Sequence, residues 1–236
     1  AAVLGDKTLL VTAASPLHSE SERREAERIA RDHLHRPLSV IHANEMEDPA
    51  FRANPADRCY HCKLALFTAL TAMARDQGYE AVFEGTNADD LNGYRPGRRA
   101  LDELGIVSPL LEAGLTKKDI RDLSAAMGLP TAAKPSNACL ATRFPYGEQL
   151  TIEKLLRVDR AENALRAMGF GQLRVRSHDD LARLEFVPAE LDRAWRLRDE
   201  LLAVVGNSGF TYATLDLKGF RSGAMDESLP QKSTRS

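Results

Sequence analysis

Apolar and polar positions follow two successive patterns along this chain. In the first, short apolar runs alternate with stretches of helical period. Residues 8–13 are a short apolar run that reads as a buried strand. Ser19-Glu-Ser-Glu22 is a capping box, and residues 22–34 place Ala26, Ile29, Ala30 and His33 on one helical face. Residues 38–43 form a second apolar run. A long acidic-polar loop over 44–57 follows. Residues 63–77 repeat Leu64, Phe67, Leu70, Met73 and Ala74 at helical spacing, closed by Gly78. Residues 81–85 are a third strand. Strand, helix, strand, helix, strand with few hairpin signals predicts a parallel sheet with right-handed crossovers. Helices are expected near 98–104 and over 116–127, the second opened by a Thr-x-x-Asp box and stopped by Gly128 and Pro130.

After the turn Phe144-Pro-Tyr-Gly147 the pattern changes. Residues 151–168 carry Leu155, Val158, Ala161, Leu165 and Met168 on one helical face, stopped by Gly169. Residues 172–177 and 181–186 alternate as strands, joined by a tight His178-Asp-Asp turn. A helix over 188–205, with Trp195 beside Leu191 in the core, and a last strand over 212–217 complete an α-β-β-α-β order. The predicted class is α/β: a parallel-sheet, Rossmann-like domain over 1–145 and a smaller α+β domain over 146–223. Residues 224–236 read as a polar, disordered tail. At the other end, residues 1–5 read as the last turn of a helix with Gly5 as its left-handed cap. The chain is therefore expected to lack a preceding segment.

Composition narrows the function classes only a little. Across 236 residues, 43% hydrophobic and 28% charged positions are those of an ordinary globular chain. Thirty-two basic against 34 acidic residues leave a net charge of −2, which argues against a nucleic-acid surface. No apolar run approaches the roughly 18 residues of a membrane span. The three cysteines, an odd number, suit a reducing compartment, so a cytoplasmic location is expected.

Those cysteines lie in two stretches, Asn54-Pro-Ala-Asp-Arg-Cys59-Tyr-His-Cys62-Lys63 and Lys134-Pro-Ser-Asn-Ala-Cys139-Leu-Ala-Thr-Arg143. A C-x-x-C turn brings two sulfurs within reach of one metal or of each other. Cys139 is flanked by two cations that favour a thiolate. Four readings stay open on the residues alone: a buried core cysteine, a redox pair, zinc with His61 as a further ligand, or an iron–sulfur cluster. The loop Gly85-Thr-Asn-Ala-Asp-Asp90 lies where a parallel sheet binds ligands. Its amide and hydroxyl suit a phosphate or ribose, and Asp89 or Asp90 suits Mg²⁺, although a plain surface turn uses the same residues. Arg174-Val-Arg176 puts two guanidinia on one strand face, fit to grip a phosphate, with Glu185 on the paired strand and Arg221 in a glycine-flanked turn. His18, His33, His35 and His42 have no ligand spacing.

Taken together, these segments resemble the LarE family, with Tyr94-Arg-Pro-Gly97, Ser108-Pro-Leu-Leu-Glu112 and Leu215-Asp-Leu-Lys-Gly-Phe-Arg-Ser-Gly223 in the same order. The resemblance spans about residues 8–225. It implies an adenine nucleotide α-hydrolase-like (ATP-pyrophosphatase) domain followed by a smaller one. It also implies an ATP-dependent sulfurtransferase that builds the nickel-pincer nucleotide cofactor of lactate racemase. ATP would adenylylate a carboxylate of pyridinium-3,5-biscarboxylate mononucleotide, and sulfur would then displace AMP to give a thiocarboxylate. On this resemblance Cys139 is the catalytic, sulfur-bearing residue. Thr12, Ser15, Gly85, Thr86, Asn87, Asp89 and Arg143 face the nucleotide and Mg²⁺. Arg174, Arg176, Glu185 and Arg221 line the substrate pocket. Cys59, Cys62 and Cys139 match the branch whose three cysteines hold a [4Fe-4S] cluster fed by sulfide or another sulfur donor. In the other branch Cys139 gives up its own sulfur and becomes dehydroalanine. A homo-oligomer, a hexamer in the family, is implied, with no nucleic acid or membrane partner. The family's Ser-Gly-Gly-x-Asp-Ser pyrophosphate loop is absent from these residues. If it were missing from the natural protein, a cluster- or metal-binding carrier without ATP chemistry would be the alternative.

Overall fold

In the computed structural model the first two apolar runs are strands β1 (Leu10–Ala14) and β2 (Leu38–His42). They pair in parallel, with Leu10 opposite Leu38 and Ala14 opposite His42. Residues 3–91, 94–134, 138–221, 223–225 and 227 are described. Helix α1 (Glu20–Asp32) makes the crossover between the strands, its first turn capped by Ser19, whose hydroxyl accepts from the Glu22 amide. Short α2 (Pro49–Arg52) precedes α3 (Arg58–Asp76), against which α4 (Gly97–Glu103) packs. Then come α5 (Pro109–Glu112) and α6 (Lys117–Ala126). The predicted Thr-x-x-Asp box is complete: Thr116 caps the Asp119 amide and the Asp119 carboxylate returns to the Thr116 amide.

The chain divides into two units. Ala1–Phe51 with Asp57–Ser136 makes the first, and Arg52–Ala56 with Asn137–Ser236 the second. In the second, Thr151 caps α7 (Ile152–Ala167), whose Leu155, Val158, Ala161 and Leu165 are fully buried. Burial of each large aliphatic side chain stabilises the unit by roughly 1.5–3 kcal/mol. Strands β3 (Leu173–His178) and β4 (Leu181–Phe186) form an antiparallel hairpin, and β5 (Tyr212–Leu215) adds to β4 in parallel. Asp179 turns the hairpin at φ +50°, a left-handed conformation that aspartate tolerates. Leu173, Val175, Leu184 and Phe186 fill the core, where the Phe186 ring meets Phe170 with centroids 4.4 Å apart. The architecture is thus mixed α/β, with a parallel pair of strands in one unit and a smaller α+β arrangement in the other.

Several expectations change. Residues 81–85 are not a ladder strand. Phe83 makes one parallel bridge to Val107, and the Glu84 amide and the Val82 carbonyl both bond Val107. An apolar cleft of about 540 Å³, lined by Val11, Ala13, Leu66, Phe67, Met73 and Val82, lies beside β1. The loop expected over 44–57 holds a 3-10 turn and α2, and α3 starts at Arg58, ahead of the predicted 63. Gly5 does take φ +54° but opens a 3-10 turn, Gly5–Lys7. The helix expected over 188–205 divides at Leu197 into α8 (Leu191–Arg196) and α9 (Arg198–Asn207). Its buried stripe is Ala194, Leu201 and Val205, so Trp195 shares the solvent face with Leu202 and is not core. Ala224 and Met225, placed in the expected tail, are buried, while residues from 228 on lie outside the described ones. Among the described residues no helix is long and apolar enough to cross a membrane.

Candidate active site

In the first unit, Thr12 within β1 and Ser15 just past its carboxyl end line a cavity of about 340 Å³ with His18, Ser19 and Arg23. Ser15 Oγ accepts from the Leu17 amide at 3.1 Å and donates to Glu45 Oε2 at 2.7 Å. The other oxygen of this buried carboxylate accepts from the Cys62 thiol at 3.7 Å. Cys59 and Cys62 lie in the first turns of α3, where a spacing of three puts both on one helix face. A Cβ on Gly97 would meet the Cys59 carbonyl oxygen at 3.0 Å and Lys63 Cδ at 2.9 Å, so only glycine lets α4 approach this turn.

The loop after residue 84 is held from inside. Asn87 Oδ1 accepts from the Asp89 amide at 3.1 Å, and Asp90 accepts from the Asn87 amide at 3.2 Å. Asp89 Oδ2 accepts from the Lys117 amide at 2.8 Å, at the start of α6, and Asp90 pairs with Arg95 at 2.8 Å. Glu84 Oε1 accepts from the Thr86 amide at 2.9 Å and from the Ser108 hydroxyl, with Lys63 Nζ 3.5 Å from Oε2. Burial pushes the Glu84 carboxyl upward, but the bonds from Ser108 and Thr86, with the Lys63 charge, hold it below its usual range.

In the second unit, Cys139 is half-buried at the head of a 3-10 turn, Leu140–Arg143. Its carbonyl accepts from the Thr142 amide at 3.0 Å, the Thr142 hydroxyl at 2.8 Å and Arg143 Nη1 at 3.0 Å. Arg143 Nη1 also reaches the Ala138 carbonyl at 2.7 Å, while Nε and Nη2 grip the Glu162 carboxylate at 2.8 and 2.9 Å. Asn54, at φ +50°, steadies the chain after this turn, donating to the Pro145 carbonyl at 2.7 Å.

One face of β3 and β4 is charged. Arg174 lies opposite Glu185, and Arg176 opposite Arg183. Arg176 Nη2 bonds Glu185 at 2.8 Å, and its Nη1 donates to the Thr142 carbonyl at 2.8 Å. Arg183 bridges Glu185 at 3.3 Å and Asp216 at 3.7 Å, and Arg221 meets Asp216 at 3.5 Å and Glu227 at 2.9 Å. The Glu227 carboxylate holds Arg221 above its ordinary value. Burial, then the neighbouring Arg143 guanidinium, lowers Arg174 to about 10 against the pull of Glu162. An anion delivered to this face would reverse that shift.

No protein-family model matches the chain. It is 42% identical over 231 residues to an uncharacterized protein of Synechocystis sp., covering 96% of this chain and 85% of that protein. It is 36% identical over 228 residues to the pyridinium-3,5-bisthiocarboxylic acid mononucleotide synthase of Lactiplantibacillus plantarum, covering 96% of this chain and 82% of the synthase. This chain belongs to that synthase family. An uncharacterized protein of Methanocaldococcus jannaschii is 33% identical over 169 residues, 72% of this chain and 66% of that protein.

Within this synthase family the [4Fe-4S] expectation fails for the present chain. Among the described residues no group of three or more His, Cys, Asp or Glu side chains could hold a metal ion, which also removes the zinc reading. The local reasons are visible. Cys59 and Cys62 are built into a helix, with Cys62 bonded to Glu45. His61 faces Asp57 at 3.8 Å, and Asp89 and Asp90 hold an amide and an arginine. Arg143, expected against the nucleotide, is turned inward onto Glu162. The structure gathers Arg174, Arg176 and Glu185 on one face, with Arg221 linked through Asp216 and Arg183. Glu45, Glu84 and Glu162 went unnoticed in the sequence. Only Glu162 left a signal, a carboxylate in the stripe Leu155, Val158, Leu165 where an apolar residue belongs.

Proposed function

We propose that this synthase-family chain is an ATP-using sulfurtransferase acting on pyridinium-3,5-biscarboxylic acid mononucleotide, with Cys139 as the sulfur donor. The carrying observation is the 36% identity to the Lactiplantibacillus plantarum synthase across 96% of the chain. In the first step a substrate carboxylate oxygen attacks the α-phosphorus of ATP. Pyrophosphate leaves and an acyl-adenylate forms, which turns a poor electrophile into a good one. In the second, the Cys139 sulfur attacks that carbonyl carbon, its proton passes to solvent and AMP leaves, giving a thioester. Loss of the Cys139 α-proton then breaks the Cβ–S bond, releasing the thiocarboxylate and leaving dehydroalanine. Arg174 and Arg176, with Arg221 near them, supply the cations for the substrate phosphate. Thr12, Ser15, Thr86 and Asn87, with the backbone at Gly85 and the Asp89 loop, face the nucleotide. No step passes through a cluster.

The test incubates the full-length protein with ATP and the biscarboxylate mononucleotide. Pyrophosphate, AMP and the thiocarboxylate are quantified, and the protein is weighed by mass spectrometry. The expected result is one thiocarboxylate per chain and a protein lighter by one H₂S at Cys139. Cys139→Ala should still release pyrophosphate but form no thiocarboxylate. A thiocarboxylate made by Cys139→Ala, or a protein of unchanged mass after turnover, would overturn the reading.

A further inference from the structure

The Arg143–Glu162 pair is closed to solvent, each side chain 1% exposed. A buried ion pair is seldom more stabilising than apolar residues of the same volume, because both ions lose hydration. At a core position of α7, such a pair therefore suggests a geometric role. Its bonds join three elements. Glu162 Oε1 accepts from Arg143 Nε at 2.8 Å and from the Val175 amide at 3.1 Å, while Oε2 accepts from Arg143 Nη2 at 2.9 Å and Arg166 at 2.7 Å. Val175 is the residue between Arg174 and Arg176. Arg143, so gripped, presents Nη1 to the carbonyls of Ala138 and Cys139. From β3, Arg176 donates to the Thr142 carbonyl of the same turn at 2.8 Å.

We infer that Glu162 is a positioning residue: through Arg143 it holds the Cys139 turn in register with the arginine-bearing strand β3. One carboxylate sets the distance between the sulfur donor and the cations that receive the substrate phosphate. The guanidinium's planar fork is needed, because an ammonium cannot hold Glu162 and two carbonyls in fixed directions. The functional half of this inference rests on the reading of Cys139 as sulfur donor. The structural half does not.

Glu162→Gln and Arg143→Lys in the full chain test it, the second retaining the charge should the first fail to fold. Hydrogen exchange of residues 138–143 and 173–178, alkylation of Cys139 by iodoacetamide, and a single turnover with ATP and the biscarboxylate mononucleotide are measured. Both variants should loosen 138–143 and speed alkylation. The ratio of thiocarboxylate to pyrophosphate should fall about 100-fold, the scale of a 1 Å misplacement. Wild-type exchange and alkylation in both variants would overturn the coupling. A loosened turn with an unchanged ratio would overturn the positioning role and leave the proposed function standing. If the wild type forms no thiocarboxylate, the functional reading fails alone. Loosening of 138–143 in the variants then still upholds the link between Glu162 and the turn, and its absence overturns that link.

Discussion

The two cysteine-bearing stretches are held by different physics. Cys59 and Cys62 belong to α3, where repeating backbone bonds set their position and Gly97 only permits a close neighbour. Cys139 heads a four-residue turn, and its own carbonyl and that of Ala138 are gathered by Arg143, itself fixed by one buried carboxylate. A helix spreads its support over many weak bonds. The Cys139 turn leans on one buried pair beside the Thr142 and Arg176 bonds, and loss of Glu162 leaves the buried Arg143 charge uncompensated. The first arrangement should tolerate change, and the second should not.

Four measurements sharpen this contrast. The largest effect is expected from Glu162→Ala, which strands Arg143 and should destabilise the second unit by about 3–5 kcal/mol in urea titrations. Loss of only a few tenths would mean the pair is not what holds the unit. Next, Gly97→Ala forces a Cβ to 3.0 Å from the Cys59 carbonyl oxygen and should cost about 1–3 kcal/mol, read as a lower melting temperature. Thr116→Ala removes the α6 capping box beside the Asp89 loop and should cost about 1 kcal/mol.

The smallest effect is a pH dependence. Glu84 titrates below its unfolded value in the folded protein, so its stabilisation is complete above that value, about 4.3. It is lost as the pH falls through the lower folded value. Stability of the first unit should therefore decline from about pH 5 downward, and Glu84→Gln should flatten that slope. An unchanged slope would show that Ser108, Thr86 and Lys63 do not stabilise the ionised form.

Legibility followed the range of the forces involved. The α7 stripe, the β3–β4 hairpin and the Thr116 box could be read directly, because periods of 3.6 and 2 and a four-residue box are local. The arginine pair at 174 and 176 was legible for the same reason. The strand at 81–85 was misread because an apolar run gives no indication of its pairing partner, which among the described residues is Val107. Trp195 was misplaced because Leu191 and Ala194 offer two competing faces, and packing chose the second. The metal expectation failed because three cysteines in a sequence carry no information on whether their sulfurs converge.

By itself the sequence determined the order of elements, the change of pattern that separates a parallel α/β arrangement from an α+β one, and the family. Each of these is carried by local periodicity or by motifs spread along the chain. Only the tertiary structure decided which charges are paired. Glu45 with Ser15 and Cys62, Glu84 with Ser108, and Glu162 with Arg143 join residues 17 to 30 positions apart. Burial makes those pairings strong or costly, and burial is a property of the folded chain as a whole.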